Sequence, residues 1–240
     1  MLSAHGFHVV SLDARGHGDS DWSPEGDYSH QAMIDDLVCV ADIVADEAGG
    51  TRPALVGASM GGIISLLGLA RRPDLGRALV LVDVATRMEE EGVGKIQAFM
   101  RGAPNGFASV EEAADAVAAY QPHRPRPKDV SGLRKNLRLR EDGRWYWHWD
   151  PEFINPEGKS PRATRNPDLL DAAAASLTVP VLLVRGRMSD VLSEEGAQFF
   201  LAQVPHARCV DVAGAAHMVA GDRNDAFTSA VVDFLDPDGS

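Results

Sequence analysis

Cysteine is scarce: Cys39 and Cys209 are the only two in 240 residues. They allow one disulfide, but neither a disulfide framework nor a four-cysteine metal centre, so apolar packing must supply the core. Positive charge is also short, with 23 Lys and Arg against 35 Asp and Glu and a net charge of −12. A surface this acidic repels phosphate backbones and anionic headgroups, so neither a nucleic-acid nor a membrane partner is expected without a strong local basic patch. No apolar run is long enough to span a bilayer. The opening residues Met1-Leu2-Ser3-Ala4-His5-Gly6 lack the charged and apolar regions of a secretory signal, which points to the cytoplasm. Nor does any His, Cys and Asp cluster show metal-ligand spacing, so no metal is expected.

What is present is an ordinary globular composition. Hydrophobic residues make up 45% of the chain, enough for one large domain or a domain carrying a long insertion. Three apolar runs read as buried strands in the first third: Phe7 to Leu12, Ala54 to Val56 and Ala78 to Val84. Two more follow at Val179 to Arg185 and Ala207 to Val212. Runs apolar at every position fit strands covered on both faces, as in a parallel sheet. Helical patterns lie between them at His30 to Ala48, Gly61 to Arg72 and Asp222 to Leu235. Strands alternating with helices predict an α/β fold, a mostly parallel sheet with helices on both faces. The alternation fails between residues 86 and 177, a proline-rich stretch read as a helical insertion without a sheet of its own. The core is then 1–85 together with 178–240.

The sharpest motif is Gly57-Ala58-Ser59-Met60-Gly61-Gly62, set between a strand and a helix. A serine hydroxyl is a weak nucleophile until it stands clear of the backbone and meets a base. A sharp strand-to-helix turn does the former, and its crowding predicts that positions 57 and 61 must be glycine. It also turns the Met60 N–H and the helix N-terminus toward a developing oxyanion. Of eight histidines, His217 follows the last strand through a short Ala/Gly link and reaches the sheet's carboxyl edge, where Ser59 must sit. His206 precedes that strand and falls at the opposite edge. Two carboxylates compete to orient His217. Asp190 lies beyond the strand ending at Arg185, and Asp83 ends the strand begun at Ala78. The chain order Ser59, Asp190, His217 favours Asp190.

With these residues in place, the chain resembles the α/β-hydrolase fold family, in its branch with a helical cap. The resemblance rests on Asp13-Ala14-Arg15-Gly16-His17-Gly18-Asp19-Ser20, GASMGG, LLVRGRMSD and GAAHM, in family order. It implies that the loop 15–20 is architectural and that Ser59, Asp190 and His217 form a triad, with Met60 in the oxyanion hole. It implies no organic cofactor, a small-molecule substrate, and leaves a homodimer open. Asp190 follows Gly186 by four positions where many relatives have three. Relatives also carry about three strands before the segment matching Phe7 to Leu12, and a His-Gly loop that completes the oxyanion hole. The expectation is therefore an N-terminally incomplete hydrolase, poorly stable or nearly inactive as written.

The run Trp145-Tyr146-Trp147-His148-Trp149 offers a packing anchor or the wall of an apolar pocket, with Trp145, Trp147 and Met218 as candidate substrate contacts. A serine nucleophile implies an acyl-enzyme route to an ester, lactone or thioester. The alternatives are a C–C bond hydrolase, a cofactor-free perhydrolase and a non-catalytic ligand-binding member of the fold.

Overall fold

A computed structural model describes residues 2–155 and 166–236. Residues 156–165 of the expected insertion lie outside the described residues. The described chain divides into two compact units: residues 2–11, 29–93 and 166–236 form one, and 12–28 and 94–155 form the other.

In the first unit, helix α1 (His30–Glu47) starts where the Ser29 side chain accepts from the Ala32 N–H, satisfying one of the helix's orphan donors. It ends at Gly49 and Gly50, both at positive φ, where a side chain would be strained. Strand β1 (Ala54–Ala58) leads into α2 (Met60–Arg71), and β2 (Ala78–Val82) leads toward α3 (Glu90–Arg101), whose first turn belongs to this unit. The second unit supplies α4 (Val110–Tyr120), β3 (Leu137–Leu139) and β4 (Trp145–Trp147). The first unit then resumes with α5 (Pro167–Ala175), β5 (Val181–Gly186), α6 (Glu194–Gln203), β6 (Arg208–Val212), the single turn α7 (Val219–Asp222) and α8 (Asn224–Leu235).

Its sheet runs β1-β2-β5-β6, with every pairing parallel. The central strands β2 and β5 are buried at every residue, which explains their continuous Val/Leu sequence. Successive side chains point to opposite faces. On one face Val80, Val82, Leu182 and Val184 pack with Val212, Val219 and Val231. On the other, α2 comes so close that a Cβ on Gly62 would lie 3.2 Å from Leu81. Helices thus cover both faces. On edge strand β6, Arg185 of β5 reaches across to Asp211 with two hydrogen bonds of 2.8 and 2.9 Å. That pairing holds the Asp211 carboxyl below its ordinary range and offsets the burial of the guanidinium.

The expected strand Phe7 to Leu12 does not form. Residues 7–14 carry no regular structure, and Val9, Val10 and Leu12 are each about half exposed. A Val-rich run becomes a strand only when a neighbour takes up its N–H and C=O groups. Among the described residues no strand pairs with it, and β1 pairs with β2 alone.

The second unit corrects the expected boundaries in three ways. The loop Leu12–Tyr28 joins residues 94–155, α5 belongs with the sheet, and the unit contains a two-stranded antiparallel ribbon of β3 and β4. Gly18 N–H donates to His148 O at 2.9 Å, and Asp150 N–H donates to Gly16 O at 2.7 Å, stitching the glycine-rich loop to the ribbon's exit. A Cβ on Gly16 would sit 2.5 Å from the Tyr28 ring, so the loop depends on glycine there. Tyr28 is buried and donates to the Asp150 carboxylate; burial first, and that bond second, push its phenol up to about 12. Trp147 centres the unit's core with Phe107, Val110, Ala113 and Leu137, and stacks on Trp149 at 5.0 Å. Among the described residues, no helix is long and apolar enough to cross a membrane.

Candidate active site

Because the four strands are parallel, their carboxyl ends share one edge, and the segment after each delivers a polar group there. Ser59 follows β1, Asp83 follows β2, Ser189 follows β5 and His217 follows β6. The register pairs Ala58 with Val82, so Ser59 and Asp83 are the next residues along adjacent strands, on the order of 5 Å apart. The Ser59 N–H donates to Val82 O at 3.2 Å, and the Asp83 N–H to Val184 O at 2.8 Å.

Ser59 has φ 48° and ψ −118°, and Asp83 has φ 51°. Among the described residues they are the two non-glycine positions with positive φ. Such conformations cost roughly 1–3 kcal/mol each and persist where surrounding structure dictates them. At Ser59 the cause is the abrupt change from strand to helix, since its C=O already accepts from the Gly62 and Ile63 N–H groups at 3.0 and 3.1 Å. Met60 is the first residue of α2, and its N–H has no acceptor within the helix.

Crowding at this turn falls on Gly57 and Gly62 rather than on Gly57 and Gly61. A Cβ on Gly57 would lie 2.4 Å from the Gly61 backbone, and one on Gly62 would lie 2.5 Å from Val84. Gly61 faces open space. The second close contact is therefore one residue later than the motif suggests, where the helix presses on the chain leaving β2.

Asp83 is fully buried. Its Oδ2 accepts from His217 Nδ1 at 2.8 Å and from the Ser189 hydroxyl at 2.5 Å, and its Oδ1 accepts from the Gly186 N–H at 2.9 Å. A carboxylate can only accept, so Nδ1 of His217 carries the hydrogen, and in the neutral imidazole Nε2 is the nitrogen with the lone pair. The loop bearing His217 is fastened on several sides. Met188 N–H donates to Ala215 O at 2.8 Å, and Ala216 N–H donates to the Asp222 carboxylate at 2.8 Å. A Cβ on Gly186 would lie 2.3 Å from Ala216 O, so glycine permits this approach.

The favoured carboxylate, Asp190, is not the one on His217 Nδ1; Asp83 holds that position. Ser189, three residues after Gly186, turns inward onto Asp83, whereas Asp190 is exposed and its carbonyl packs against Gly92 at the start of α3. Consecutive loop residues point in different directions, so a displacement of one carries the carboxylate away from His217. Ser189 itself was missed as a site residue. The available signal was its spacing from Gly186. As anticipated, His206 precedes β6, and its Nε2 donates to Val179 O at 3.0 Å.

The candidate substrate contacts fare unequally. Met218 is about half exposed beside His217. In the second unit Trp147 is buried, while Trp145 is partly buried beneath the Arg134 guanidinium at 5.5 Å. Trp147 also borders an open cavity of about 420 Å³ within that unit, with Met100, Tyr146, Trp149 and Ile154 among its walls. Three arginines of this unit are engaged in local structure. Arg126 pairs with Asp115 and Arg138 with Asp19, both at 2.6 Å, while Arg140 lies 4.0 Å over Tyr146.

Comparison with known proteins agrees with this fold. The family described as alpha/beta hydrolase fold matches residues 1–223. Esterase Rv0045c of Mycobacterium tuberculosis is 30% identical over 96% of this chain and 75% of its own length. The sn-1-specific diacylglycerol lipase ABHD11 of Mus musculus is 27% identical over 98% of this chain and 74% of its own. Among solved structures, E-2-(acetamidomethylene)succinate hydrolase superposes with a TM-score of 0.76 at 26% identity, covering 93% of this chain and 80% of that one.

Proposed function

Since the chain belongs to the α/β-hydrolase fold family, we propose that it is a serine hydrolase that cleaves a small-molecule ester, lactone or thioester through an acyl-enzyme. The observation that carries this reading is the hydrogen bond from His217 Nδ1 to the buried Asp83, at the strand ends beside the strained Ser59. Nε2 of His217 takes the proton from the Ser59 hydroxyl as Oγ attacks the carbonyl carbon. Asp83 holds the imidazole in the required tautomer and stabilises its charge without itself taking the proton. The Met60 N–H and the N-terminus of α2 stabilise the negative charge that develops on the carbonyl oxygen. The imidazolium then protonates the leaving alkoxide or thiolate, and the bond to it breaks. Water, deprotonated by His217, attacks the acyl-Ser59 ester, and the imidazolium returns that proton to Ser59 Oγ as its bond to the acyl carbon breaks and the acid departs. The relatives whose names describe esterases, a lipase and other hydrolases support ester-type chemistry.

The test is labelling by a fluorophosphonate probe together with turnover of short-chain 4-nitrophenyl esters. Wild type labels and turns over, and Ser59→Ala does neither. Equal labelling of both proteins, or none in folded wild type, overturns the reading. Cleavage of a vinylogous diketone, or peroxide-dependent oxidation, in place of ester hydrolysis would move the assignment to a C–C hydrolase or a perhydrolase.

A further inference from the structure

We propose that Ser189 is a positioning residue for the reaction: its hydroxyl fixes the Asp83 carboxylate in the orientation that receives the His217 Nδ1–H. This rests on the serine-hydrolase reading above. A hydroxyl has one hydrogen and two lone pairs. Oγ of Ser189 accepts from the Val191 N–H at 3.1 Å and the Leu192 N–H at 3.2 Å. Both lone pairs are thereby engaged, and only the hydrogen remains to meet Asp83 Oδ2 at 2.5 Å. The hydroxyl is thus a donor of fixed direction, held by the backbone at the entry to α6.

Fixed direction matters because the terminal torsion of an aspartate is broad and has no sharp rotamer of its own. The Gly186 N–H tethers Oδ1 alone, about which the carboxylate plane could still swing. Ser189 supplies the second tether, on the same oxygen that meets His217. Oδ2 then receives two donors and Oδ1 one, so the buried carboxylate is satisfied without water. The turn after β5, where the sequence offers Asp190 as an acid, instead serves the acid of the neighbouring strand.

The experiment compares wild type with Ser189→Ala, Ser189→Thr and Ser189→Cys. It reads kcat and KM on 4-nitrophenyl acetate, and the downfield Nδ1 proton of His217 by proton NMR, assigned by its loss in His217→Gln. Ser189→Ala is expected to lower kcat about tenfold, the scale of one hydrogen bond to a charged group, with KM little changed. The Nδ1 resonance is expected to shift or to broaden through exchange, and Ser189→Thr, which keeps the hydroxyl, to restore both readouts. Ser189→Cys fills the same space with a much weaker donor, and gives the same reading should the alanine variant not fold. An unchanged resonance in the folded alanine or cysteine variant overturns the proposal, even if kcat falls, because the serine then only braces its loop. If the hydrolase reading itself fails, Ser59→Ala matches wild type in hydrolysis, while the resonance still reports whether Ser189 governs the Asp83–His217 pair.

Discussion

His217 and Asp83 stand 134 positions apart in the chain, yet their side chains meet at 2.8 Å, Nδ1 to Oδ2. The contact exists because β2 and β6 both flank β5 and run parallel to it, bringing their exits to one edge. Asp83 is fully buried and hydrogen-bonded through both oxygens. A carboxylate so enclosed can orient an imidazole without competition from water.

Exchange of the two rival carboxylates should separate them cleanly. Asp83→Asn is expected to lower kcat on 4-nitrophenyl esters by on the order of 10⁴, because the amide stabilises the wrong imidazole tautomer. Asp190→Asn should stay close to wild type. The reverse ranking would return the role to Asp190.

Strain at Ser59 predicts a gain in stability on its removal. Ser59→Gly should stabilise the fold by about 1 kcal/mol, since glycine adopts φ near +48° freely. For a chain of this size that is a rise in Tm of roughly 2–4 °C. Hydrolysis should vanish in both Ser59→Gly and Ser59→Ala, but only the glycine variant should melt later. Equal melting temperatures would mean that the turn stores no strain.

The two motif glycines should respond differently to alanine. Gly57→Ala forces a Cβ to within 2.4 Å of backbone that cannot retreat, and should cost about 3 kcal/mol or more. Gly61→Ala meets nothing within 4 Å in the first turn of α2, and should be neutral or stabilise by up to about 1 kcal/mol. Denaturant unfolding of the pair tests the contrast. Similar losses at both positions would contradict the crowding described.

A pH dependence follows from His17 in the glycine-rich loop. Burial, outweighing its bond to the Arg15 carbonyl and the charges of Asp13 and Asp150, lowers its pKa below the ordinary 6.5. Below pH 6.5 the unfolded chain therefore binds more protons than the folded one, and stability falls as the pH is lowered. His17→Gln should flatten the decline in Tm between pH 7 and pH 5 relative to wild type. Parallel curves for the two proteins would show that His17 is not responsible.

Much of the fold was legible because continuous Val/Leu runs have few other uses in a soluble chain. The runs at 54, 78, 179 and 207 all became parallel strands. The run at 7 did not, since strand formation needs a partner and apolar sequence alone does not supply one. The ribbon carrying Trp145–Trp147 was read as part of a helical insertion because three-residue strands are too short to show alternation.

Local sequence was sufficient to place Ser59 and Met60 at one strand-to-helix turn, and His217 in the loop after the last strand. It favoured Asp190 where Asp83 meets His217, because both leave strands at the same edge and the choice depends on which way each side chain turns. That turn is set by contacts distant in sequence: Val184 O on the Asp83 N–H, Gly186 N–H and the Ser189 hydroxyl on its carboxylate, and Gly92 against the Asp190 carbonyl. Periodicity and turn chemistry belong to neighbouring residues and can be read along a chain. The orientation of a buried carboxylate depends on donors from other strands, and only tertiary structure brings them together.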